Sequence, residues 1–335
     1  MSGTILILSV EHDPHARHLA PMLRERGHEV IVFDPARYPV SAGLDLAYDG
    51  QGSVRRTLRL PEGDLALDEL ASVWFRRPGS PVAHPEITEP GAREHVERQS
   101  EALVSDVWDD LDCLMVPASR TVLRTAQRKA AQLRLAGRLG FTLPPTLIST
   151  DPEEFLDFYR RHDGRVITKP IELPWARGGG EGAVFVRMTE RVSTRDVGYA
   201  DALRYGPIIV QAYVPKRLEL RVTVVGDAVF AAEIHSQSTN RTRDDWRRYD
   251  LAATPHAAHD LPGGTAEQCR SLVRALGLRY GAIDLILTPE GRYVFLEINP
   301  NGQYLWIERL TGLPISAALC DLLGSAGTTD PIGAR

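Results

Sequence analysis

The chain has few cysteines and no long apolar run, and each shortage excludes a class of protein. Its three cysteines, Cys113, Cys269 and Cys320, lie far apart in 335 residues. This spacing is typical of reduced thiols and argues against a disulfide framework or a zinc site. No apolar stretch approaches the length of a membrane span, and no basic region precedes the short apolar segment at the N-terminus. We therefore expect a cytoplasmic protein without a membrane segment.

Several functional motifs are also missing. The first predicted strand is not followed by Gly-x-Gly-x-x-Gly, so a dinucleotide site there is not expected. The chain has no Gly-x-Ser-x-Gly elbow, which argues against a serine nucleophile of the hydrolase type. The net charge of −5 argues against general binding of nucleic acid.

Lysine is the rarer basic residue by a wide margin. Only three of the 39 Lys and Arg residues are Lys, namely Lys129, Lys169 and Lys216. Since this chain uses Arg wherever either cation serves, the remaining lysines mark positions that need a compact, flexible ammonium group, as phosphate contacts often do. Chance retention is the plainer interpretation, and it suits Lys216 better than Lys129 or Lys169.

An acidic hairpin near the C-terminus is the most informative feature that is present. Strands are predicted at residues 281–287 and 293–298, with a turn at 288–291. Alternation places Glu297 and Asn299 on one face, and Asp284 lies across from them on the partner strand. Such a cluster of oxygen ligands suits Mg²⁺. The alternative is an acidic strand end that faces water, but charges within apolar strands need a partner.

The order of elements predicts an α/β fold with three parts and a flexible tail. A strand at 4–10, a helix at 15–26 and a strand at 29–33 form a βαβ unit of a parallel sheet. This unit opens an N-terminal domain at residues 1–118. A central subdomain follows at 119–207, then a C-terminal subdomain at 208–325 and a tail at 326–335.

The central part contains signals for phosphate binding. A predicted helix at 124–139 carries Lys129 in its first turns, and a strand at 166–169 ends at Lys169. The glycine-rich segment at 178–182 includes Gly179 and Gly180, and its backbone N–H groups can approach phosphate oxygens closely. A plain flexible connection is the alternative for this segment. A strand running into an extended linker is predicted at 208–215, and a hairpin at 219–225 and 228–234.

This order of features resembles the ATP-grasp superfamily, with an N-terminal pre-ATP-grasp domain before the ATP-grasp fold. The resemblance implies ATP and Mg²⁺ as cofactors. It implies that phosphates contact Lys129, Lys169, Gly179 and Gly180. By position, it further assigns Gln211, Tyr213 and Val214 to the adenine slot, Glu219 to the ribose, and Asp284, Glu297 and Asn299 to the metal.

Several segments are similar to one branch of that superfamily, the graspetide maturases, which are microviridin-type macrocyclases of ribosomal peptides. They are residues 73–78 (VWFRRP), 211–216 (QAYVPK), 221–226 (RVTVVG), 236–237 (SQ), 245–247 (DWR) and 299–303 (NPNGQ). One position departs from the D-alanine ligases, which carry Arg where this chain has Ala282. We therefore expect Arg221 to stabilise the transferring phosphate, and Arg247 is a second catalytic candidate.

The resemblance implies that the chain activates a substrate Asp or Glu carboxylate as an acyl phosphate. A Ser or Thr hydroxyl, or a Lys amine, of the same precursor peptide then closes an ω-ester or ω-amide ring. The partner is a precursor peptide with a leader and an acidic core, and a homodimer is also expected. The alternatives are an ATP-grasp ligase that joins amino acids between molecules, such as an α-glutamate ligase, and a non-catalytic ATP-binding sensor.

Three further features remain open in the sequence. The arginine-rich segment with Arg241, Arg243, Arg247 and Arg248 either receives the acidic core or is a solvated loop. The pair Arg76 and Arg77 either reaches the cleft or supports the seam between domains. His235 is either a proton carrier or a structural histidine, and the structural role is the plainer interpretation.

Overall fold

The computed structural model describes residues 3–172, 175–177, 184–186, 188–238 and 254–325. Its strands are β1 (Thr4–Ser9), β2 (Val30–Phe33), β3 (Gly43–Tyr48), β4 (Val54–Leu60), β5 (Gly63–Ala66), β6 (Leu70–Arg77), β7 (Leu114–Val116), β8 (Thr146–Ser149), β9 (Val166–Lys169), β10 (Trp175–Arg177), β11 (Val184–Val186), β12 (Glu190–Arg191), β13 (Ile208–Ala212), β14 (Leu218–Val225), β15 (Ala228–Ile234), β16 (His256–Ala258), β17 (Tyr280–Leu287) and β18 (Tyr293–Asn299).

The helices pack between and around these strands. They are α1 (Pro14–Glu25), α2 (Pro90–Asp109), α3 (Arg120–Ala126), α4 (Lys129–Arg138), α5 (Pro152–Arg161), α6 (Thr194–Val197), α7 (Gly263–Ala275), α8 (Leu305–Thr311) and α9 (Ile315–Gly324). Within the described part of the chain, no helix combines the length and the apolar character that a membrane crossing requires.

Local sequence signals explain where the first helices begin. Asp13 precedes α1, and its Oδ1 accepts hydrogen bonds from the backbone N–H groups of His15 and Ala16 at 2.9 and 3.0 Å. Asp151 caps α5 in the same way. Each helix then starts with Pro, whose fixed φ suits the first helical position and whose missing N–H costs nothing there.

The N-terminal part is a parallel sheet of order β2-β1-β6-β7. The predicted βαβ unit is confirmed, since β1 pairs in parallel with β2 after the crossover through α1. A three-stranded antiparallel sheet of β3, β4 and β5 follows, and the sequence did not predict it. These strands are short and partly exposed, so their hydrophobic pattern is weak.

Two antiparallel sheets carry the rest of the predicted site. The central sheet has the order β12-β9-β13-β8, and the C-terminal sheet has the order β16-β15-β14-β17-β18. Strand β13 pairs with both β8 and β9, so the central sheet extends to Ala212, beyond the predicted division at residue 207. The two predicted hairpins of the C-terminal sheet, β14–β15 and β17–β18, are both present.

The buried side chains form three clusters, and two of them join the two ends of the chain. One cluster packs Leu6 and Phe33 of the N-terminal sheet with Leu220 and Ile283 of the C-terminal sheet. A second packs α1 against α8 and α9. The third cluster is separate and belongs to the central sheet with α5, and it contains Phe155, Phe158, Val166, Val192, Ala200 and Val210. The central sheet therefore has its own small core.

Candidate active site

One face of the C-terminal sheet brings the predicted acidic residues together. All residues of β14 and β17 are buried, and the register pairs Arg221 with Asp284 and Asp284 with Glu297. Because paired residues project from the same face, these three side chains lie side by side. The prediction that Asp284 sits across from Glu297 is confirmed.

Arg221 and Asp284 form a buried ion pair at the centre of this face. The Nη1 of Arg221 lies 2.9 and 3.0 Å from the two carboxylate oxygens of Asp284. The two residues are 5% and 6% exposed. Burial lowers the pKa of the Arg221 guanidinium, but the charge and hydrogen bonds of Asp284 outweigh this and raise it. The Arg221 guanidinium is therefore charged at neutral pH.

Lys129 reaches the same cluster from α4. Its Nζ lies 2.7 Å from Glu297 Oε2. One turn further along α4, Gln132 holds β18 in place, because its Nε2 donates to the Ile298 carbonyl at 2.8 Å and its Oε1 accepts from the Ile298 N–H at 3.3 Å. The N-terminus of α4 therefore faces a carboxylate, as the helix dipole favours.

The position of Lys129 corrects the single helix predicted at 124–139. The structure breaks this segment after Ala126 and starts α4 at Lys129 itself, with Arg128 extended at φ −67° and ψ 108°. The break is held by Gln132, whose Nε2 also donates to the Ala126 carbonyl at 2.7 Å. No Gly or Pro marks it, because a tertiary contact rather than a local preference sets it.

The Asn299–Gln303 run closes over the acidic face. Asn299 Oδ1 accepts a hydrogen bond from the Asn301 N–H at 3.1 Å, and the Tyr280 hydroxyl donates to the Gly302 carbonyl at 2.6 Å. A Cβ on Gly302 would lie 2.4 Å from the Cβ of Ala282 and 2.7 Å from Arg221 Nη2. The loop therefore occupies the space above Ala282, which explains why no Arg stands at position 282.

The residues predicted for the nucleobase and ribose occupy β13, the following linker and the start of β14. Gln211 is 1% exposed, and its Nε2 donates to Thr146 Oγ1 at 2.8 Å. Its Oε1 is buried and has no hydrogen-bond donor among the described residues. The exocyclic amino group of an adenine is a donor of the kind this oxygen lacks. The site thus fits the predicted nucleotide at this atom.

The other residues of the predicted slot already have neighbours. The guanidinium of Arg191 stacks on the Tyr213 ring, with its Cζ 4.0 Å from the ring centre. Val214 is partly buried. Lys216 Nζ lies 3.0 Å from Glu219 Oε1 in a buried pair. Lys216 therefore has a structural contact with the predicted ribose ligand.

Lys169 lies on the same face of the central sheet as Gln211. The register pairs Lys169 with Ile209, two residues from Gln211 on β13, so alternation directs both side chains to one face. Val166 and Val210 belong to the core on the other side. Lys169 is 8% exposed. The predicted phosphate and adenine contacts of the central sheet are thus on one face, opposite its core, and both side chains are buried.

Some predicted residues lie outside the described ranges. They are Gly179 and Gly180 of the glycine-rich segment and the arginines Arg241, Arg243, Arg247 and Arg248. Within the described ranges, no group of three or more His, Cys, Asp or Glu side chains has the arrangement of a metal site. Two carboxylates and an amide oxygen nevertheless fit Mg²⁺ held partly by phosphates, since that ion is commonly bound through one or two carboxylates.

Arg76 supports the seam between the two ends of the chain. It is 3% exposed, and its guanidinium lies 3.3 Å from Asp13 Oδ1, 3.0 Å from His15 Nδ1 and 3.2 Å from the Asn301 carbonyl oxygen. In return, Asn301 Nδ2 donates to the Phe75 carbonyl at 3.0 Å and to the Arg76 carbonyl. This link, the Arg76–Asn301 clasp, joins β6 to the loop after β18.

His15 completes the clasp as a neutral group. Its Nε2 accepts the backbone N–H groups of Tyr304 and Leu305 at 3.2 and 3.3 Å. Burial, with a further contribution from the charge of Arg76, lowers the pKa of His15 to about 3. Asp13 and His15 could not be predicted as site residues, because nothing in their local pattern distinguishes a helix cap from a bridge to a distant loop.

His235 takes part in a network away from the acidic face. Its Nε2 lies 2.9 Å from Glu233 Oε2, and Glu233 Oε1 lies 2.7 Å from His259 Nδ1. Burial raises the pKa of Glu233, but the hydrogen bonds of His259 and His235 outweigh it and lower the pKa. Glu233 pairs with Leu220 in register, and alternation directs it to the face opposite Arg221. This placement favours the structural interpretation of His235.

Comparison with known proteins gives consistent findings. A family model described as the MvdD pre-ATP grasp domain matches residues 4–121. The macrocyclase MdnB from Microcystis aeruginosa MRC is 31% identical at a TM-score of 0.78, and the match covers 96% of this chain and 99% of that chain. A search of curated proteins finds no relative.

Two structures with bound peptides are also similar. A RiPP-associated ATP-grasp ligase from Chryseobacterium gregarium, in complex with ADP and a leader and core peptide, is 28% identical at a TM-score of 0.88, with 96% of both chains covered. The macrocyclase MdnC of Microcystis aeruginosa MRC, bound with precursor peptide MdnA, is 29% identical at a TM-score of 0.83, with 96% and 99% covered.

Proposed function

This chain belongs to the ATP-grasp macrocyclases of the graspetide maturase type, and on that premise we propose that it closes side-chain rings in a ribosomal precursor peptide. It is an ATP-dependent, ADP-forming ligase of that family. The substrate in this proposal is a peptide with a leader and an acidic core. Of the two similar structures with bound peptides, one holds a leader and core peptide and the other a precursor peptide. The bond formed is an ω-ester or an ω-amide.

The observation that carries the proposal is the pairing of two cations with two carboxylates on one sheet face. Arg221 pairs with Asp284, and Lys129 pairs with Glu297. A ligase that activates a carboxylate must neutralise the phosphates of ATP, hold a metal ion and leave room for the acid that is activated. These four side chains, with Asn299 beside them, meet the first two needs.

The proposed reaction has two steps. An oxygen of a substrate Asp or Glu carboxylate attacks the γ-phosphorus of ATP, and the bond to ADP breaks. A Ser or Thr hydroxyl, or a Lys amine, of the same peptide then attacks the acyl carbon, loses its proton and displaces phosphate. Mg²⁺, when bound, supplies charge neutralisation on the phosphates. No protein nucleophile takes part in either step.

Each predicted residue has a task in this reaction. Asp284, Glu297 and Asn299 hold Mg²⁺, and Lys129 and Lys169 hold the phosphates together with Gly179 and Gly180. Gln211, Tyr213 and Val214 receive the adenine, and Glu219 receives the ribose. Arg221 holds Asp284 in the metal-binding orientation and supports charge on the transferring phosphoryl group. Arg247 is proposed to contact the acidic core.

The experiment that tests the proposal is intact-mass spectrometry of the precursor peptide encoded beside the gene for this chain. The peptide is incubated with the protein, ATP and Mg²⁺, and each ring closed removes one water from its mass. The expected result is an ATP-dependent loss of one or more waters. An unchanged peptide, with ATP consumed only when free amino acids are added, would establish the intermolecular ligase instead. ATP binding without turnover of either substrate would establish the sensor.

The location and the assembly of the chain are parts of the same proposal. A cytoplasmic location suits an enzyme that uses ATP and a newly made peptide. A homodimer is expected from the resemblance to the maturases. Light scattering coupled to gel filtration distinguishes a mass near 37.1 kDa for the monomer from twice that value.

A further inference from the structure

A cavity lies at the end of β6, beside the acidic face but outside it. Its volume is about 300 Å³, which is at the lower end of the range for ligand sites. The lining includes the end of β6, the side of α2 and the start of α3, and its members include Phe75, Arg77, Gly79, Trp108, Arg120 and Asn301. The cavity therefore suits one side chain of a larger substrate rather than a whole cofactor.

The charge around this cavity is positive. Arg120 is held by Glu101 and Ser105, and its Cζ lies 6.0 Å from the centre of the Phe75 ring. Arg76 is neutralised by Asp13 within the Arg76–Asn301 clasp. Arg77 is exposed, and its guanidinium forms no ion pair with any residue in the described ranges. Glu101 neutralises Arg120 and Asp13 neutralises Arg76, so the charge of Arg77 remains at the cavity.

One residue of the cavity lining has an unsatisfied donor. Trp108 is 1% exposed, and its indole Nε1 has no hydrogen-bond acceptor among the described residues. Its ring packs edge-on against Phe33, with the ring centres 6.5 Å apart. A buried donor without an acceptor is costly to the fold. A side-chain carboxylate that enters the cavity would supply a countercharge for Arg77 and bring an acceptor close to the Trp108 ring.

The cavity and the site described above share the loop after β18. Asn301 lines it and lies two residues after Asn299, the last of the predicted metal ligands. The Arg76–Asn301 clasp fixes the distance between the two, since Asn301 is bonded to the Phe75 and Arg76 carbonyls of the cavity wall. A peptide that presents one acidic side chain to the metal face can therefore place another acidic side chain here.

We propose that this cavity binds a carboxylate side chain of the peptide substrate that is not itself activated, with Arg77 as its countercharge. The inference rests on the proposed function and deepens it, because it assigns a second acidic position in the core peptide. Arg77 is a specificity residue under this proposal. Glu101 beside Arg120 disfavours a doubly charged phosphate and favours a single carboxylate.

The test uses nuclear magnetic resonance of the indole N–H groups in protein labelled with ¹⁵N-tryptophan. The chain has five tryptophans, and the Trp108 signal is assigned by its loss in Trp108→Phe, or by Overhauser contacts to Phe33 if that variant does not fold. The probe is N-acetylglutamate N-methylamide, and its isostere N-acetylglutamine N-methylamide is the control. A shift of the Trp108 signal with the acid alone is expected.

Variants sharpen the test. Arg77→Gln should weaken the binding of the acid probe about tenfold or more, as the loss of a charged hydrogen bond implies. Arg98→Gln is the matched control, since Arg98 lies on the same helix as Trp108 and its side chain is 70% exposed. With the precursor peptide, Arg77→Gln should raise KM for the peptide about tenfold and leave KM for ATP unchanged.

The outcomes separate this inference from the proposed function. Ring closure by the wild-type protein with no Trp108 shift, or with equal shifts for acid, amide and inorganic phosphate, would overturn the carboxylate site alone. A selective shift of the Trp108 signal in a protein that closes no ring would overturn the proposed function and leave the carboxylate site in place. A tenfold change in Arg98→Gln equal to that in Arg77→Gln would also overturn the assignment.

Discussion

The two ion pairs of the candidate site differ in how firmly their partners are held. Arg221 and Asp284 are joined by two hydrogen bonds, and their side chains are 6% and 9% exposed. Lys129 and Glu297 are joined by one hydrogen bond, and their side chains are 21% and 15% exposed. A buried pair cannot part without leaving an unpaired charge in the core, whereas a partly solvated pair can exchange partners at small cost.

The difference divides the site into a fixed half and an exchangeable half. The fixed half is set by the register of β14 and β17, and the exchangeable half joins the start of α4 to β18. Lys129 and Glu297 hold each other in the structure, and in the proposed function they turn to the phosphates and to Mg²⁺. The pairing of each carboxylate before nucleotide binding also keeps two acids on one face from repelling each other.

The largest effect is expected when the exchangeable half loses its acid. Glu297→Ala should lower the rate of ring closure about a thousandfold or more, because a lost metal ligand removes several kcal/mol of transition-state stabilisation. Stability should change by only about 0–1 kcal/mol. Single-turnover kinetics and urea unfolding give the two values. Near-normal turnover would remove Glu297 from the metal site.

In the fixed half, we expect a substitution to have a large effect on stability. Arg221→Met should lower the free energy of unfolding by about 3–5 kcal/mol, since it leaves Asp284 buried without a countercharge. The double variant Arg221→Met with Asp284→Leu should regain most of that loss. Urea denaturation of the two single variants and the double variant measures the coupling. A loss below about 1 kcal/mol in Arg221→Met would show that the two pairs do not differ as described.

Removal of the Lys169 side chain tests whether the central sheet also contributes a phosphate contact. Lys169→Ala should weaken nucleotide binding by about ten- to a hundredfold, as expected when a hydrogen bond to a charged group is lost. Isothermal calorimetry with ADP and Mg²⁺ measures the change. Arg204→Ala is the comparison, because Arg204 also lies in the central part of the chain, its side chain is 69% exposed and it pairs with the exposed Asp201. Unchanged affinity in Lys169→Ala would remove Lys169 from the phosphate site.

A smaller effect is expected from crowding the fixed half without changing its charge. Gly302→Ala places a methyl group 2.4 Å from the Ala282 Cβ and 2.7 Å from Arg221 Nη2, so the loop or the ion pair must move. The cost should be about 1–3 kcal/mol. Gly264→Ala is the matched control, since its added Cβ would meet no atom within 4 Å apart from its chain neighbours and the backbone of its own helix. Equal stability of both variants would contradict the packing of the loop on Arg221.

The C-terminal hairpins and the acidic face could be predicted because they depend on local patterns. Two-residue alternation and a turn with Pro and Gly set β17 and β18, and the same alternation aligned Asp284 with Glu297. The break between α3 and α4 could not be predicted, because Gln132 sets it through a backbone carbonyl of another element. The Arg76–Asn301 clasp could not be predicted for the same reason, since it links residues 225 positions apart.

The exposed sheet of β3, β4 and β5 was missed for a different reason. Its strands bury few side chains, so the period-two signal is faint. The partner of Arg221 was also not predicted from the sequence. Arg221 was expected to face the transferring phosphate, and only the register of β14 with β17 shows that it also neutralises Asp284.

The Arg76–Asn301 clasp has a mechanical consequence. Together with the two shared cores, it joins the N-terminal and C-terminal sheets into one packed unit. The central sheet has a core of its own and forms a second unit. The chain passes between the two units at residues 143–145 and 213–217, and both segments contain proline. Any movement of the central sheet relative to the other two sheets would have to bend the chain at those two short segments, and it would leave the Arg221–Asp284 pair undisturbed.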